Sequence, residues 1–305
     1  MNGRAKKRLL VTGLSGFVGR HLQHRLQADS GWELIPPPEK YDLTRPATLS
    51  GWCASTPDAV LHLAGQTFVP DSFRDPQRTF EVNLLGTLNL LQALKAGGFS
   101  GTFLYVSSGD IYGQVDEANL PITEKLLPQP RNPYAVSKFS AEKLCLQWSY
   151  VEPWRILVAR PFNHIGTGQS DSFVIPSIAR QLTRIAKGRQ APLLQVGDVD
   201  VTRDFLDVRD VIEAYLALLK KGETGEVYNV CSGQEWRVRG LILQLADLAG
   251  VDVELVQDPE RIRASEQRRV VGSATKLQTA TGWKPRLRMG ETLQSVLADW
   301  EEREP

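Results

Sequence analysis

Short apolar runs alternate with longer helical patterns along this chain, and that alternation restricts its fold more than any other feature. Strand-like runs occur at Arg8–Thr12, Glu33–Pro36, Ala59–Leu63, Thr102–Ser107, Arg155–Arg160 and Val227–Val230, with helical patterns at Phe17–Ala28, Gln77–Ala96, Tyr134–Ser149 and Val208–Lys220. This order is typical of βαβ units, in which helices connect parallel strands. The runs are continuously apolar, as expected for strands that helices cover on both faces. The sequence predicts an α/β fold with a doubly wound parallel sheet.

The pattern changes after Gly166. The later segments are predicted as helices at Ser172–Lys187, Val238–Ala249, Thr275–Thr281 and Glu291–Glu302, with short strands at Leu193–Val196 and Val253–Val256. We predict that residues 1–165 and 207–231 form a larger dinucleotide-binding domain. Residues 166–206 and 232–305 are predicted to form a smaller C-terminal α/β lobe that binds substrate.

Composition excludes several classes of protein. The chain has 305 residues, 42% of them hydrophobic, and its net charge of +1 lacks the basic excess of a nucleic-acid binder. Its three cysteines lie far apart, without metal-ligand spacing, so we expect no metal site and a reduced, cytoplasmic setting. The apolar run after Arg8 is too short for a secretory signal, and no run of about twenty apolar residues predicts a membrane span.

A glycine-rich turn follows the first predicted strand and opens the first predicted helix. Its glycines are Gly13, Gly16 and Gly19, spaced G-x-x-G-x-x-G. Glycine lets the backbone turn tightly and approach a diphosphate, and a helix N-terminus offers free N–H groups. We predict dinucleotide binding by Gly13, Ser15, Gly16, Phe17, Val18 and Gly19; the alternative is a glycine-rich turn without a ligand.

Tyr134 and Lys138 are four residues apart at the start of a predicted helix, so they share one face. An ammonium beside a phenol favours the phenolate and lowers its pKa, which would suit proton transfer at a carbonyl oxygen. The pair alone is weak evidence for catalysis, because this spacing also occurs on solvated helix faces. His62 and His164 are predicted to be packed, hydrogen-bonded structural residues.

Several further segments occur in the order found in one enzyme family. They are Asp42–Leu43, His62–Gln66, Asn83–Thr87, Val106–Gly113, Arg160–Asn163 and Gly282–Pro285. With the glycine turn, they make the chain similar to the extended short-chain dehydrogenase/reductase family, which implies a Rossmann-type fold. The resemblance implies that NADPH or NADH is bound by Asp42, Leu43, Leu63, Ala64, Gly65, Asn83, Tyr134, Lys138 and Arg160. The segment Leu34–Pro38 offers neither a carboxylate nor an arginine, so both cofactors are expected to be accepted.

The same resemblance implies a catalytic Ser108, Tyr134 and Lys138. Ser108 would hydrogen-bond the reacting oxygen, Tyr134 would transfer the proton, and Lys138 would bind the ribose and lower the tyrosine pKa. A nucleotide-sugar substrate is implied, bound by Ser108, Gly109, Asp110, Tyr134, Asn163, Val174, Arg203, Arg263 and Glu266. Arginine suits a diphosphate because its planar fork donates two parallel hydrogen bonds.

Three stretches resemble GDP-6-deoxy-4-keto-D-mannose reductases: Ser107–Tyr112, Arg160–Gly166 and Arg261–Glu266. Related dehydratases use a glutamate as C5 base where this chain has the shorter Asp110, which favours reduction. The expected reaction is therefore reduction of a GDP-linked 4-keto-6-deoxy sugar. A 4,6-dehydratase, a 4-epimerase and a non-catalytic dinucleotide sensor remain alternatives. The resemblance also implies a homodimer through Gln77–Ala96 and Tyr134–Ser149.

Overall fold

The computed structural model describes residues 6–28, 31–261 and 267–304. Its strands are β1 Lys7–Thr12, β2 Trp32–Leu34, β3 Ala59–His62, β4 Thr102–Val106, β5 Arg155–Pro161, β6 Asn163–Ile165, β7 Leu193–Val196, β8 Thr202–Asp207, β9 Val227–Val230, β10 Glu235–Arg237 and β11 Glu254–Gln257. Its helices are α1 Phe17–Gln27, α2 Ser50–Cys53, α3 Val69–Arg74, α4 Pro76–Phe80, α5 Gly86–Ala96, α6 Pro133–Trp148, α7 Val174–Ala186, α8 Val208–Lys221, α9 Val238–Ala249, α10 Thr275–Thr281 and α11 Met289–Arg303.

Six strands form one parallel sheet in the order β2-β1-β3-β4-β5-β9. The β1 and β3 strands are neighbours in register, with Leu9 opposite Ala59 and Thr12 opposite His62. The chain winds to one side of β1 through β2 and to the other side through β3. This reversal opens a crevice at the carboxyl ends of β1 and β3, where α/β sheets bind ligands. The predicted doubly wound parallel sheet is confirmed.

Helices cover both faces of this sheet. On one face α1 and α8 pack together, and Leu22, Val211 and Tyr215 join the core with at most 1% of their surface exposed. On the other face α2, α5 and α6 pack, and Leu91 and Ala141 are fully buried. Because both faces are covered, strand residues on either side must be apolar, which explains the continuous apolar runs in the sequence.

The predicted helix Gln77–Ala96 is not regular. Residues Glu81–Leu85 form a π-helical turn between α4 and α5. Such turns occur as single insertions inside α-helices, frequently at functional sites. This one contains Asn83, a buried residue whose side-chain amide bonds outside its own helix, to Gln66 and to Ser137.

A second, smaller core lies between α7, α9 and α11, with Ile175, Leu182, Leu241 and Leu293 buried inside it. Beside it, β6 pairs in parallel with β8, β10 pairs antiparallel with β8, and β7 pairs in parallel with β11. The strands β6, β8 and β10 are absent from our sequence predictions. No described helix has both the length and the apolar character needed to cross a membrane.

The sequence prediction assigns residues 232–305 to the smaller lobe, but part of this segment packs on the larger sheet. Helix α10 packs on α8 and β9, and both Leu277 and Trp283 belong to the core of the larger sheet. The Trp283 indole donates to the Asp210 carbonyl at 3.0 Å, which fixes this return. The chain therefore returns to the larger core once more than predicted, before α11 rejoins the smaller core.

Asp204 on β8 ties the two cores together. It is fully buried, and its carboxylate accepts hydrogen bonds from the backbone N–H groups of Ser232 at 2.8 Å, Gly233 at 3.0 Å and Gly272 at 3.1 Å. The Ser232 hydroxyl adds a fourth bond at 2.6 Å. One side chain thus satisfies donors from two loops that follow different elements.

We predict that Asp204→Ala lowers the free energy of unfolding by about 3 kcal/mol, because three backbone N–H groups, that of Gly272 buried, lose the carboxylate that accepts from them. Denaturant titration of both proteins measures the difference. Asp200→Ala is the matched control, since Asp200 lies on the surface in an ion pair with Arg239. It should leave the unfolding free energy almost unchanged. Equal effects of the two substitutions would contradict the linking role of Asp204.

Candidate active site

The glycine turn after β1 packs tightly against the chain that leaves β3. Gly13 has φ +75, and a Cβ atom there would lie 2.8 Å from the Ala64 nitrogen. A Cβ atom on Gly19 would lie 2.4 Å from the Gly13 carbonyl oxygen. Both distances are shorter than real carbon contacts, so neither position accepts a side chain. The close approach brings the start of α1 to the crevice between β1 and β3.

The N-terminus of α1 suits an anion. Its first turn holds no acidic residue, and Gly16, the residue before it, supplies no side-chain cap within the described chain. Helix N-terminal N–H groups that lack a cap, together with the helix dipole, favour phosphate. Gly65 lies at the same edge, where a Cβ would be 2.9 Å from Asn83 Oδ1 and 3.9 Å from Lys138 Nζ. The glycine-lined edge therefore fits a dinucleotide.

The segment Asp42–Leu43, which the resemblance assigns to the cofactor, is connected to this turn. Asp42 Oδ1 accepts from the Thr44 N–H and hydroxyl, both at 2.8 Å, and these bonds lower the pKa of Asp42. Leu43 is buried, and its carbonyl accepts from Asn89 Nδ2 at 2.8 Å. The preceding Tyr41 hydroxyl accepts from the Gly13 N–H at 2.7 Å, which connects this segment to the glycine turn.

Ser108 and Tyr134 meet at the carboxyl end of β4. Ser108 precedes the short 3-10 helix Gly109–Tyr112, and its Oγ accepts from the Asp110 N–H at 3.1 Å. Tyr134 lies in the first turn of α6, where Asn132 caps the helix by accepting from the Ala135 N–H at 2.7 Å. The Ser108 hydroxyl lies beside the Tyr134 hydroxyl, close enough to lower its pKa. A carbonyl oxygen placed beside both would have two hydroxyl partners.

The pKa of Tyr134 is raised to about 12, opposite to the direction expected from the sequence. Burial is the largest cause, the hydrogen bond from Ser108 lowers the pKa, and the Asp110 charge raises it further. Burial disfavours the phenolate more than nearby groups favour it. Tyr134 is therefore protonated at neutral pH and can donate a proton.

Lys138 is also buried, with 6% of its surface exposed. Burial lowers its pKa to about 8, against the opposing effects of Cys145 and Glu142. Its ammonium lies 4.6 Å from the centre of the Tyr105 ring, whose negative face attracts a cation. Lys138 therefore remains mostly charged at neutral pH, although its pKa of about 8 lies only a little above that pH.

Asn83 joins the elements around this group. Its Oδ1 accepts from the Gln66 N–H at 2.8 Å, and its Nδ2 donates to the Gln66 carbonyl at 3.1 Å and to Ser137 Oγ at 2.9 Å. One amide thus connects the chain after β3, the π turn and α6. Asn83 lies against Gly65, so these two residues of the predicted cofactor site are neighbours.

His62 is a structural residue, as predicted. Its Nδ1 lies 2.6 Å from Thr12 Oγ1 and its Nε2 lies 2.9 Å from Thr87 Oγ1. The Thr87 hydroxyl donates to the Asn83 carbonyl, so Nε2–H must donate to Thr87 and Nδ1 must accept from Thr12. Burial and the Lys138 charge lower the His62 pKa to about 3, so the ring is neutral.

Arg160 does not occupy the predicted cofactor-binding position. Its Nε and Nη2 donate to the Glu142 carboxylate at 3.1 and 2.6 Å, and its Nη1 donates to the Tyr112 hydroxyl at 2.8 Å. Only 3% of its surface is exposed. The guanidinium is used inside the core, so its side chain is not a cofactor ligand.

The residues predicted to bind substrate lie on several elements. Asn163 is exposed on β6, Val174 is 43% exposed at the start of α7, and Arg203 on β8 donates to the Thr202 and Gln267 carbonyls. A Cβ on Gly109 would lie 3.0 Å from the Phe162 ring. Arg263 and Glu266 lie outside the described residues. Within the described ranges, no group of three His, Cys, Asp or Glu side chains could hold a metal ion.

The fold and the Ser108, Tyr134 and Lys138 group define a dinucleotide-dependent oxidoreductase of the short-chain type. A family model described as GDP-mannose 4,6 dehydratase matches residues 39–296, and the chain belongs to that family.

Two relatives and one solved structure are similar over nearly the whole chain. GDP-6-deoxy-D-mannose reductase of Pseudomonas aeruginosa is 64% identical over 298 residues, which cover 97% of this chain and 98% of that protein. The structure of RMD from Pseudomonas aeruginosa complexed with NADPH has a TM-score of 0.95 at 63% identity, and covers 98% of this chain and 100% of its own. GDP-6-deoxy-D-talose 4-dehydrogenase of Aggregatibacter actinomycetemcomitans is 30% identical, over 90% of this chain and 91% of that protein.

We predict that Tyr134→Phe reduces kcat by at least about a hundredfold and leaves NADPH affinity nearly unchanged, because it removes a proton donor and almost no volume. Lys138→Ala should lower both kcat and NADPH affinity, since the ammonium serves the tyrosine and the ribose. Steady-state kinetics and nicotinamide fluorescence separate the two effects. A kcat near that of the unsubstituted enzyme in either variant would remove that residue from the catalytic group.

Proposed function

We propose that this enzyme reduces the C4 ketone of GDP-4-dehydro-6-deoxy-D-mannose to GDP-D-rhamnose with NADPH or NADH. The observation that carries the proposal is a protonated Tyr134 beside Ser108, one helical turn from the charged Lys138, in a chain 64% identical to a GDP-6-deoxy-D-mannose reductase. A ketone reduction needs a hydride and a proton, and Tyr134 holds the proton at neutral pH.

Each residue has a distinct part in this reaction. When bound, the nicotinamide supplies the hydride to the C4 carbon. The glycine turn Gly13–Gly19 would hold the diphosphate through backbone N–H groups, and Lys138 would hold the ribose hydroxyls. Ser108 donates a hydrogen bond to the ketone oxygen and orients it. Tyr134 gives its proton to that oxygen as negative charge develops there.

The family name makes a 4,6-dehydratase the second candidate. Elimination would need a base that reaches the sugar C5 proton, and Asp110 occupies the position of that base. Asn132 Nδ2 donates to the Asp110 carboxylate at 2.8 Å, while Asn132 Oδ1 caps α6. The carboxylate is both short and anchored to the helix start, which favours reduction.

We infer a division of labour between the two cores. The larger sheet, formed by residues 1–165 and 207–231, binds the dinucleotide, and the smaller core binds the nucleoside diphosphate of the sugar. Support comes from where the structure places the residues that the family likeness assigns to the sugar nucleotide, since Asn163 on β6, Val174 on α7 and Arg203 on β8 all belong to the elements of the smaller core and the strands beside it. We assign Asn163, Val174, Arg203, Arg263 and Glu266 to this nucleotide-sugar site.

We also propose a cytoplasmic homodimer. The surface formed by α4, the π-helical turn, α5 and α6 carries incompletely buried apolar side chains, of which Leu85 in the turn is 49% exposed. A second copy packing on this surface would remove that apolar area from water. All three cysteines are free and buried, which suits a reducing compartment.

We predict that reduction of GDP-4-dehydro-6-deoxy-D-mannose oxidises one NADPH for each product formed. Loss of nicotinamide absorbance, together with identification of GDP-D-rhamnose, measures the ratio. A dehydratase or epimerase reoxidises its own bound cofactor and would show turnover without net oxidation. Formation of a 4-keto-6-deoxy product from GDP-mannose with catalytic NADP would show that Asp110 does reach C5, and would reverse the assignment.

We predict that Arg203→Ala raises the KM for the nucleotide-sugar by roughly ten- to a hundredfold and leaves NADPH affinity unchanged, because a charge-assisted contact contributes ~1.5–3 kcal/mol. Arg239→Ala is a control, since Arg239 is paired with Asp200 on the surface of the smaller core. An unmoved KM in Arg203→Ala would make Arg203 a structural residue that only anchors Gln267.

A further inference from the structure

The catalytic helix α6 carries a buried ion pair that the proposed reaction does not use. Glu142 is four residues beyond Lys138, and its carboxylate takes two hydrogen bonds from Arg160 on β5, at 3.1 and 2.6 Å. The Glu142 side chain is fully buried and that of Arg160 is 3% exposed. Glu142 therefore lies on the same face of α6 as Tyr134 and Lys138, one turn beyond Lys138.

The pair continues into the loop that carries Ser108. Arg160 Nη1 donates to the Tyr112 hydroxyl at 2.8 Å, and that hydroxyl donates to Asn229 Oδ1 at 2.7 Å. Tyr112 ends the short helix that Ser108 caps. The guanidinium also lies over the Tyr112 ring, 5.0 Å from its centre. Buried polar contacts thereby link Glu142 to Tyr112, at the opposite end of the short helix that Ser108 caps.

Stability alone does not account for this arrangement. Removing two charges from water is costly, and well-packed apolar residues often replace a buried ion pair without loss of stability. A charge placed one helical turn from a buried catalytic ammonium has a second effect, because it stabilises the charged form of that ammonium.

The charges that act on Lys138 identify Glu142 as the relevant group. Burial lowers the Lys138 pKa to about 8, and Glu142 opposes that shift. The pKa values of Cys145 and Tyr105 are raised by burial, so both are neutral at neutral pH. On β3, His62 is neutral as well, and Tyr134 is protonated. Among these described neighbours of Lys138, Glu142 alone supplies a negative charge, and Arg160 is its partner in the ion pair.

We propose that Glu142 is a positioning residue for catalysis: it holds Lys138 in the ammonium form, and through Arg160 and Tyr112 it fixes the Ser108 loop against α6. The inference rests on the proposed reduction at Ser108, Tyr134 and Lys138. It assigns to the ion pair a role in charge and geometry that a neutral core of equal stability would not perform.

The expected pH dependence follows from the direction of the shift. Lys138 binds the ribose as a cation, so NADPH affinity and kcat should fall as pH rises through about 8. In Glu142→Gln the ammonium loses its stabilising charge, and the midpoint should move to lower pH by on the order of one unit. The loss relative to the unsubstituted enzyme should then be about tenfold larger on the alkaline side than at acidic pH.

The test measures NADPH affinity by nicotinamide fluorescence and kcat for the 4-keto sugar across pH, together with Tm. Tyr112→Phe is the matched control, because it breaks the link to the Ser108 loop without changing a charge. It should lower kcat and leave the pH midpoint in place. Glu142→Asp keeps the charge and should restore the midpoint even where it lowers Tm.

Two outcomes would overturn the inference. One is a Glu142→Gln enzyme with a lower Tm and an unmoved midpoint, which is the signature of a purely structural ion pair. If Glu142→Gln does not fold, the double variant Glu142→Gln/Arg160→Met takes its place, because it removes both charges. Its pH midpoint should move in the same direction by a smaller amount. An unmoved midpoint in the double variant is the second outcome that would overturn the inference. Failure of the unsubstituted enzyme to reduce the sugar would refute the proposed function, while NADPH affinity still reports on Glu142.

Discussion

The parallel direction of the six sheet strands is the constraint on which the rest of the structure depends. All carboxyl ends meet at one edge, so the glycine turn after β1, the Leu63–Gly65 segment after β3 and Ser108 after β4 arrive together. Their spacing is set by contact: a Cβ on Gly13 would lie 2.8 Å from the Ala64 nitrogen. Helix α6 then only has to pack across this edge to bring Tyr134 to Ser108.

Much of this architecture follows from local sequence patterns. The continuous apolar runs predict β1, β3, β4, β5 and β9, and helical periodicity predicts α1, α6, α7 and α8, because burial on both faces or along one stripe leaves a clear signature. The strand β8 leaves no such signature, since it begins with the polar residues Thr202, Arg203 and Asp204. Asp204 can be buried because N–H groups of loops distant in the sequence donate to its carboxylate. The π turn is equally invisible, because it depends on where the Asn83 amide finds its partners.

The catalytic residues are likewise predictable from the sequence only in part. Spacing and family likeness select Ser108, Tyr134 and Lys138, but they do not report how deeply each side chain is buried. Burial reverses the expected pKa direction of Tyr134. The position of Arg160 depends on Glu142 and Tyr112, residues 18 and 48 positions away in the chain. The sequence places Arg160 in a strand; only the packed structure shows which carboxylate it meets.

Burial raises the pKa of Tyr134 and lowers the pKa of Lys138, and in both cases it favours the neutral form of the group. For Tyr134 that form is the one a reductase needs, because the proton delivered to the ketone oxygen is already present. For Lys138 it is the wrong form, so a compensating charge is required, and Glu142 is the carboxylate placed to provide it. Glu142 in turn requires Arg160, because an unpaired carboxylate at that depth would be too costly to keep ionised. The buried ion pair is thus the consequence of burying a catalytic cation and a catalytic acid side by side.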